Sequence, residues 1–250
     1  MMMRAQMIVV ALVALWVWPL VVHAEKLTLS PNARIVLVGN GLGSRMLHYG
    51  HFESELHRRY PGHKLLIRNL CDEGNTPGYR PHSARKNPWA FPGAEKFRKL
   101  SKAKDRWRSS AYGQGHFKSP DDWLKHLKPD TIVVFFGYNE SFQGPAGLKS
   151  FRAELSGYLR HILSQSYSGA RPKVALVSPI AFENLSKLYG TPDGTTANAN
   201  LAIYTKAMQE VAAENKVHFV NLFASTTTLF ANAKTPWTRD GALLTPSGYA

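Results

Sequence analysis

Acyl transfer by a side-chain nucleophile needs an attacking oxygen or sulfur, a base that takes its proton, and donors that hold the developing oxyanion. The stretch Ile35–Met46, IVLVGNGLGSRM, has the form that presents such an attacker, because an apolar β-like run stops at Gly39 and a helical pattern starts almost at once. The turn reads Gly39-Asn40-Gly41-Leu42, and none of these side chains is a good nucleophile. Ser44 lies three residues beyond Gly41, about one helical turn and roughly 5 Å of rise further on. It is a substitute hydroxyl if it faces the site, and a plain helix-start residue if it does not. Cys71 is the second substitute, with His48 or His51 as its base; without catalysis it reads as a small buried hydrophobe. His48 and His51 stand three apart with no third ligand at matching spacing, so no metal is expected. Glu140 and Asp240 are an acid–base pair only if the fold brings them together.

The elements that position these residues are legible as an alternation. ARIVLVGN, HKLLIRNL, DTIVVFFG, PKVALVSPI and VHFVNLF read as five strands. Leu42, Met46, Tyr49, Phe52 and Leu56 recur at three- and four-residue steps and predict one helix over residues 42–60. SPDDWLKHL predicts a short helix, with Ser119 and Asp122 spaced as a capping box and Pro120 at the first helical position. Two longer helices are predicted in GLKSFRAELSGYLRHILSQ and ANANLAIYTKAMQEVAAENK. Nearly all-apolar strands alternating with helices indicate an α/β fold, a mostly parallel five-stranded sheet covered on both faces. Ligands of such sheets gather beyond the carboxyl ends of the strands, so the loops there are where function is sought.

The 250 residues, 44% of them hydrophobic, suffice for one sizeable core. Arg4, the apolar run Met7–Val22 and the small-residue site ending at Ala24 predict an N-terminal signal peptide over 1–24 and an exported domain over 25–250. An uncleaved anchor is the other reading of the same run. Cys71 is the only cysteine, so no internal disulfide holds the domain. The formal net charge of +14 favours anionic partners, and export disfavours nucleic acid among them. Most of that charge sits between Gly78 and Lys118, where eleven lysines and arginines face two acids and Trp89, Phe91, Phe97, Trp107, Tyr112 and Phe117 are interleaved. This insertion reads either as a solvated basic excursion or as a basic, aromatic lid for an anionic polymer or a glycan. The closing residues LTPSGYA read as the start of a further helix, and the chain as a candidate fragment of a longer one.

Four loop motifs stand in order: VGNGL after strand one, RNLCDEGN after strand two, FFGYNES after strand three, and RDGALLTPSGY near the end. This order resembles the SGNH, or GDSL-type, hydrolase family. The likeness runs over Arg34–Ala250 apart from the basic excursion, and is nearest to an exported bacterial branch whose members also occur beside other modules. It implies a three-layer α/β/α, flavodoxin-like fold and an ester or glycan substrate, with no cofactor. In that family a Ser in a Gly-Asp-Ser-Leu turn attacks, a His in an Asp-x-x-His motif takes its proton, and backbone and Asn donors hold the oxyanion. The likeness places Asn40 on the Asp of the turn and Gly41 on the nucleophile. Gly41, Gly74 and Asn139 fall on the oxyanion donors, and Glu140 stands where an Asp is common. Asp240 falls on the Asp of the last motif, and Leu243 on its His. Asn40, Cys71 and Glu140 are expected in the pocket. A glycine cannot attack and a leucine cannot accept a proton, so the expected protein is a weakly active or inactive ester hydrolase. The alternative is a non-catalytic binding module for acidic or acylated glycans.

Overall fold

The computed structural model describes residues 27–82, 85–98 and 117–250. The expected signal peptide, and the part of the basic insertion that holds Lys99, Lys102, Lys104, Trp107 and Tyr112, lie outside these residues.

Five strands form one sheet: β1 (Arg34–Gly39), β2 (Leu66–Asn69), β3 (Thr131–Phe135), β4 (Lys173–Val177) and β5 (His218–Val220). Their order is β2-β1-β3-β4-β5, and every neighbouring pair is parallel. Gly39 is in register with Phe135, so β1 and β3 end side by side. The chain runs outward from β1 to β2 and then returns across β1 to β3, which makes the β1/β3 boundary the switch point where such sheets open a crevice.

Alternate residues of each strand serve opposite faces. Val36, Val38, Ile132, Val134, Val174 and Leu176 pack with Leu155, Tyr158, Leu159, Tyr204 and Met208 of the long helices α5 (Gly144–Leu163) and α7 (Thr195–Glu214). Ile35, Leu37, Val133, Phe135, Ala175 and Val177 form the second core, covered by Leu42 of α1 (Gly41–Arg45), Met46, and Phe52 and Leu56 of α2 (His51–Arg59). That is the expected three-layer α/β/α arrangement, with a fully parallel sheet. The predicted cap also holds: Ser119 Oγ accepts from the Asp122 N–H at 3.1 Å, at the start of α3 (Pro120–Leu127).

Two predicted elements need correction. The single helix expected over 42–60 is two, because the chain past Arg45 tightens into i→i−3 bonds (Met46 to Gly43, Leu47 to Ser44, His48 to Arg45) and restarts only after Gly50. Glycine is a poor helix former, and the apolar steps continue across the break all the same. The fifth strand ends at Val220 instead of running through Phe223. The Asn221 side chain accepts from the Ala224 N–H at 2.9 Å and starts α8 (Leu222–Ala231). Short helices α4 (Tyr138–Ser141), α6 (Ser186–Tyr189) and α9 (Pro246–Tyr249) complete the fold. Among the described residues no helix is long and apolar enough to cross a membrane.

Candidate active site

The ends of β1, β3 and β4 and the C-terminal loop enclose a cleft of about 40 Å³ lined by Asn40, Gly41, Leu42, Phe135, Phe136, Tyr138, Ser178, Pro179, Ile180, Ala242, Leu243 and Tyr249. Gly41 and Leu243, 202 positions apart in the sequence, therefore face one space.

The glycines of the turn differ in what forces them. Gly39 has φ +153°, and a Cβ there would stand 2.1 Å from the Phe135 carbonyl oxygen, so the close approach of β1 to β3 demands glycine. Gly43 is packed too, since its Cβ would meet Cys71 Sγ at 2.5 Å. At Gly41 an added Cβ meets nothing within 4 Å, and φ is ordinary. Packing does not require glycine at the position from which a nucleophile would project. Gly41 is the first residue of α1, where a backbone N–H has no partner inside the helix. Asn40 beside it is only 2% exposed, and its Nδ2 has no hydrogen-bond partner.

Leu243 is held by a stiff loop. Asp240 Oδ1 accepts from the Ala242 and Leu243 N–H groups at 3.0 and 2.8 Å, and the Arg239 N–H donates to the Leu243 carbonyl at 2.8 Å. The buried Glu183 carboxylate anchors the loop's other arm, accepting from the Trp237 N–H at 3.1 Å, the Thr238 N–H at 2.7 Å and the Thr238 hydroxyl at 2.6 Å. Asp240 is exposed, and its carboxylate organises its own loop where a triad Asp would orient an imidazole. Burial first, and the Asp240 charge second, push the Tyr138 phenol above its ordinary range.

The remaining expected residues are scattered. Asn139 does meet the Gly74 loop, but its Nδ2 donates to the carbonyls of Glu73 at 2.7 Å and Asn75 at 3.1 Å. Both amide hydrogens are thus spent on clasping the chain either side of Gly74, and neither Asn139 nor Gly74 lines the cleft. The Asn139 nitrogen is not the free oxyanion donor that the resemblance implies. Cys71 lines a different cavity, and burial pushes its thiol far above the ordinary range, which removes the thiolate a nucleophile needs. Glu140 is buried at the start of α4, where its Oε2 accepts from the Gly137 N–H at 2.7 Å and burial raises its carboxyl to about 8. It faces a third cavity with Glu154, apart from the cleft. Ser44 is not among the cleft-lining residues, and His48 and His51 are exposed. Ser178 reaches the cleft, but its hydroxyl donates to the Pro179 carbonyl and accepts from the Phe223 N–H, both at 3.0 Å. Tyr249 donates to the Leu42 carbonyl at 3.2 Å, and burial raises its phenol to about 12. Among the described residues no histidine lines the cleft, and no group of three or more His, Cys, Asp or Glu could hold a metal.

Sequence reading misses Glu183, Tyr138 and Ser178. The only signal for Glu183 is an acidic residue in the apolar stretch that follows strand four.

A parallel sheet in this order, covered by helices on both faces and open to a cleft at the carboxyl ends of β1 and β3, defines a doubly wound, flavodoxin-like α/β/α domain. The model of the GDSL-like lipase/acylhydrolase family matches residues 76–250, and the chain belongs to that family. The match begins beyond Gly41 and takes in the β3 loop and the Leu243 loop. Among solved structures, the chain is similar to Axe2, an acetylxylan esterase from Geobacillus stearothermophilus, at 15% identity and a TM-score of 0.54, over 89% of this chain and 91% of that one. It is similar at 17% identity and a TM-score of 0.52 to a lipase/acylhydrolase from Enterococcus faecalis, over 87% and 89% of the two chains. LAE5, an α/β hydrolase from the metagenome of Lake Arreo, matches at 14% identity and a TM-score of 0.53, over 88% and 91%. Comparison with curated proteins gives no significant match.

Proposed function

We propose that this chain is an exported GDSL-fold pseudoenzyme that holds an acylated sugar at the β1/β3 cleft and leaves its ester intact. The carrying observation is that Gly41 and Leu243, which by resemblance occupy the nucleophile and base positions, line the same cleft and bring neither hydroxyl nor imidazole to it. Losing the nucleophile or the base of a serine triad costs about 10⁶ in turnover, and losing both costs little more. The donor side survives in altered form: the Asn40 Nδ2 is buried and unpaired, and the Gly41 N–H opens α1. Both suit the carbonyl oxygen of an ester. A cleft of about 40 Å³ with apolar walls suits a small acyl group such as acetyl. Acetylated sugar is the substrate class in the name of the similar Axe2, an acetylxylan esterase. Catalysis rescued by Ser44 or Cys71 has no geometric support, since neither side chain lines the cleft.

The test is saturation-transfer NMR with acetylated xylo-oligosaccharide, with mass spectrometry of the same sample after a day. The expected result is transfer to the acetyl methyl, its loss in a Leu243→Trp variant that fills the cleft, and sugar recovered with its acetyl groups. Released acetate above the buffer rate, or transfer unchanged in Leu243→Trp, overturns the reading.

A further inference from the structure

A cavity of about 160 Å³ lies among the loop after β2, the residues Arg80, His82 and Arg85, and the first turn of α3. Arg80 lines it and is only 3% exposed, yet its Nε and Nη2 have no hydrogen-bond partner. Trp123 lines the same cavity, and its buried Nε1 has no partner either. What packs against the Arg80 guanidinium is aromatic, the Tyr158 ring centroid at 4.7 Å and that of Phe136 at 5.8 Å, with the buried Tyr158 hydroxyl the one polar group of those rings beside it. Ring faces stabilise the cation but accept little from N–H groups directed away from them. Arg85 adds a second charge, fixed by its own bonds to the Lys118 carbonyl at 3.0 Å and to the Arg80 carbonyl. Burial first, and the Arg80 charge second, lower Arg85 to about 10, and the exposed Asp72 at the rim only partly opposes them. Among the described residues neither arginine takes part in an ion pair.

Desolvated donors without acceptors are costly, and a guanidinium most of all. Here the two residues that carry three of them, Arg80 and Trp123, line one cavity large enough for a small group. We propose that this cavity binds an oxyanion — a carboxylate, sulfate or phosphate group, free or carried on a sugar. Its oxygens accept from Arg80 Nε and Nη2 in the forked geometry that guanidinium favours, and from Trp123 Nε1. Arg85 supplies the second positive charge. The inference stands apart from the chemistry of the β1/β3 cleft, because none of these donors lines that cleft.

The experiment follows the melting temperature of the whole chain with sodium sulfate, phosphate or glucuronate at ionic strength held constant with sodium chloride. The expected result is a saturable rise that chloride alone does not give. Trp123→Phe, which keeps the packing and removes one donor, weakens it about tenfold. Arg80→Met abolishes it, and the variant melts no lower than the native chain in chloride, since an apolar side chain replaces an unpaired buried charge. Sulfate or phosphate binding without glucuronate binding assigns the free ion, and tighter glucuronate binding assigns the acidic sugar. No saturable rise with any of the three, or the same rise in Trp123→Phe as in the native chain, overturns the proposal; that variant decides the matter should Arg80→Met not fold.

Discussion

Replacing Gly39 and Gly41 separately by alanine splits two roles that look identical in the sequence. A Cβ at residue 39 would stand 2.1 Å from the Phe135 carbonyl oxygen and 2.7 Å from the Phe135 Cβ, at φ +153°. Ordinary contact begins near 3.4 Å, so the ends of two hydrogen-bonded central strands must part by roughly 1 Å, against a packed core with no room to yield. We expect Gly39→Ala to cost more than about 4 kcal/mol, within the rare class of severe single substitutions. A Cβ at residue 41 meets nothing within 4 Å, so Gly41→Ala is expected to gain about 0.4–1 kcal/mol by restricting the unfolded chain. Urea unfolding followed by tryptophan fluorescence reads both, as a midpoint falling by more than 1 M in one variant and rising by a few tenths in the other, at slopes of about 1–3 kcal/mol per M. A Gly41→Ala variant destabilised by more than about 1 kcal/mol would refute the reasoning. Glycine there would then be structural, and the missing side chain would say nothing about missing chemistry.

Glu140 should make the fold more stable in mild acid. Its carboxyl is raised by burial to about 8, so the native state keeps a proton that the unfolded chain has lost, and stability falls as pH rises from about 5 through 8, by up to about 1.4 kcal/mol per unit. Urea midpoints across that range should show the fall, and Glu140→Gln should flatten it; an equal slope in the variant assigns the effect elsewhere, with Glu154, also raised by burial, the next group to replace. Glu183→Ala leaves the buried Thr238 N–H and hydroxyl without their acceptor and should cost about 2–4 kcal/mol in thermal or urea unfolding, whereas a loss under 1 kcal/mol would mean that the Leu243 loop is held by something else.

The sheet was legible because its strands are mostly apolar and the three central ones, β1, β3 and β4, are buried on both faces, which leaves a signal independent of loop detail. Where an apolar run crossed a cap or a glycine the reading failed. Asn221 looks like one more strand residue, yet its side chain starts α8; Gly50 sits inside a regular apolar period, yet the helix breaks there. Gly41 and Leu243, which the family resemblance sets in two distant motifs, both line the β1/β3 cleft. Cys71, Asn139 and Glu140 were read from adjacency to the same turns, and adjacency does not say on which side of a loop a side chain leaves. Asn139 therefore serves the β2 loop, Cys71 a second cavity and Glu140 a third one. Arg80 was hidden for a related reason. Eleven basic residues look alike in a charge-rich stretch, and packing alone distinguishes Arg80 as buried among the described ones.

Hydrolysis of p-nitrophenyl acetate by the native chain beside a Gly41→Ser/Leu243→His double variant tests the central claim most directly. The account predicts release at the buffer rate for the native chain and for each single variant. For the double variant it predicts turnover at least a hundredfold higher, since the attacker and the base act as a unit. Native turnover well above the buffer rate would contradict it, and Ser44→Ala and Cys71→Ala would then show whether either of those side chains is the attacker.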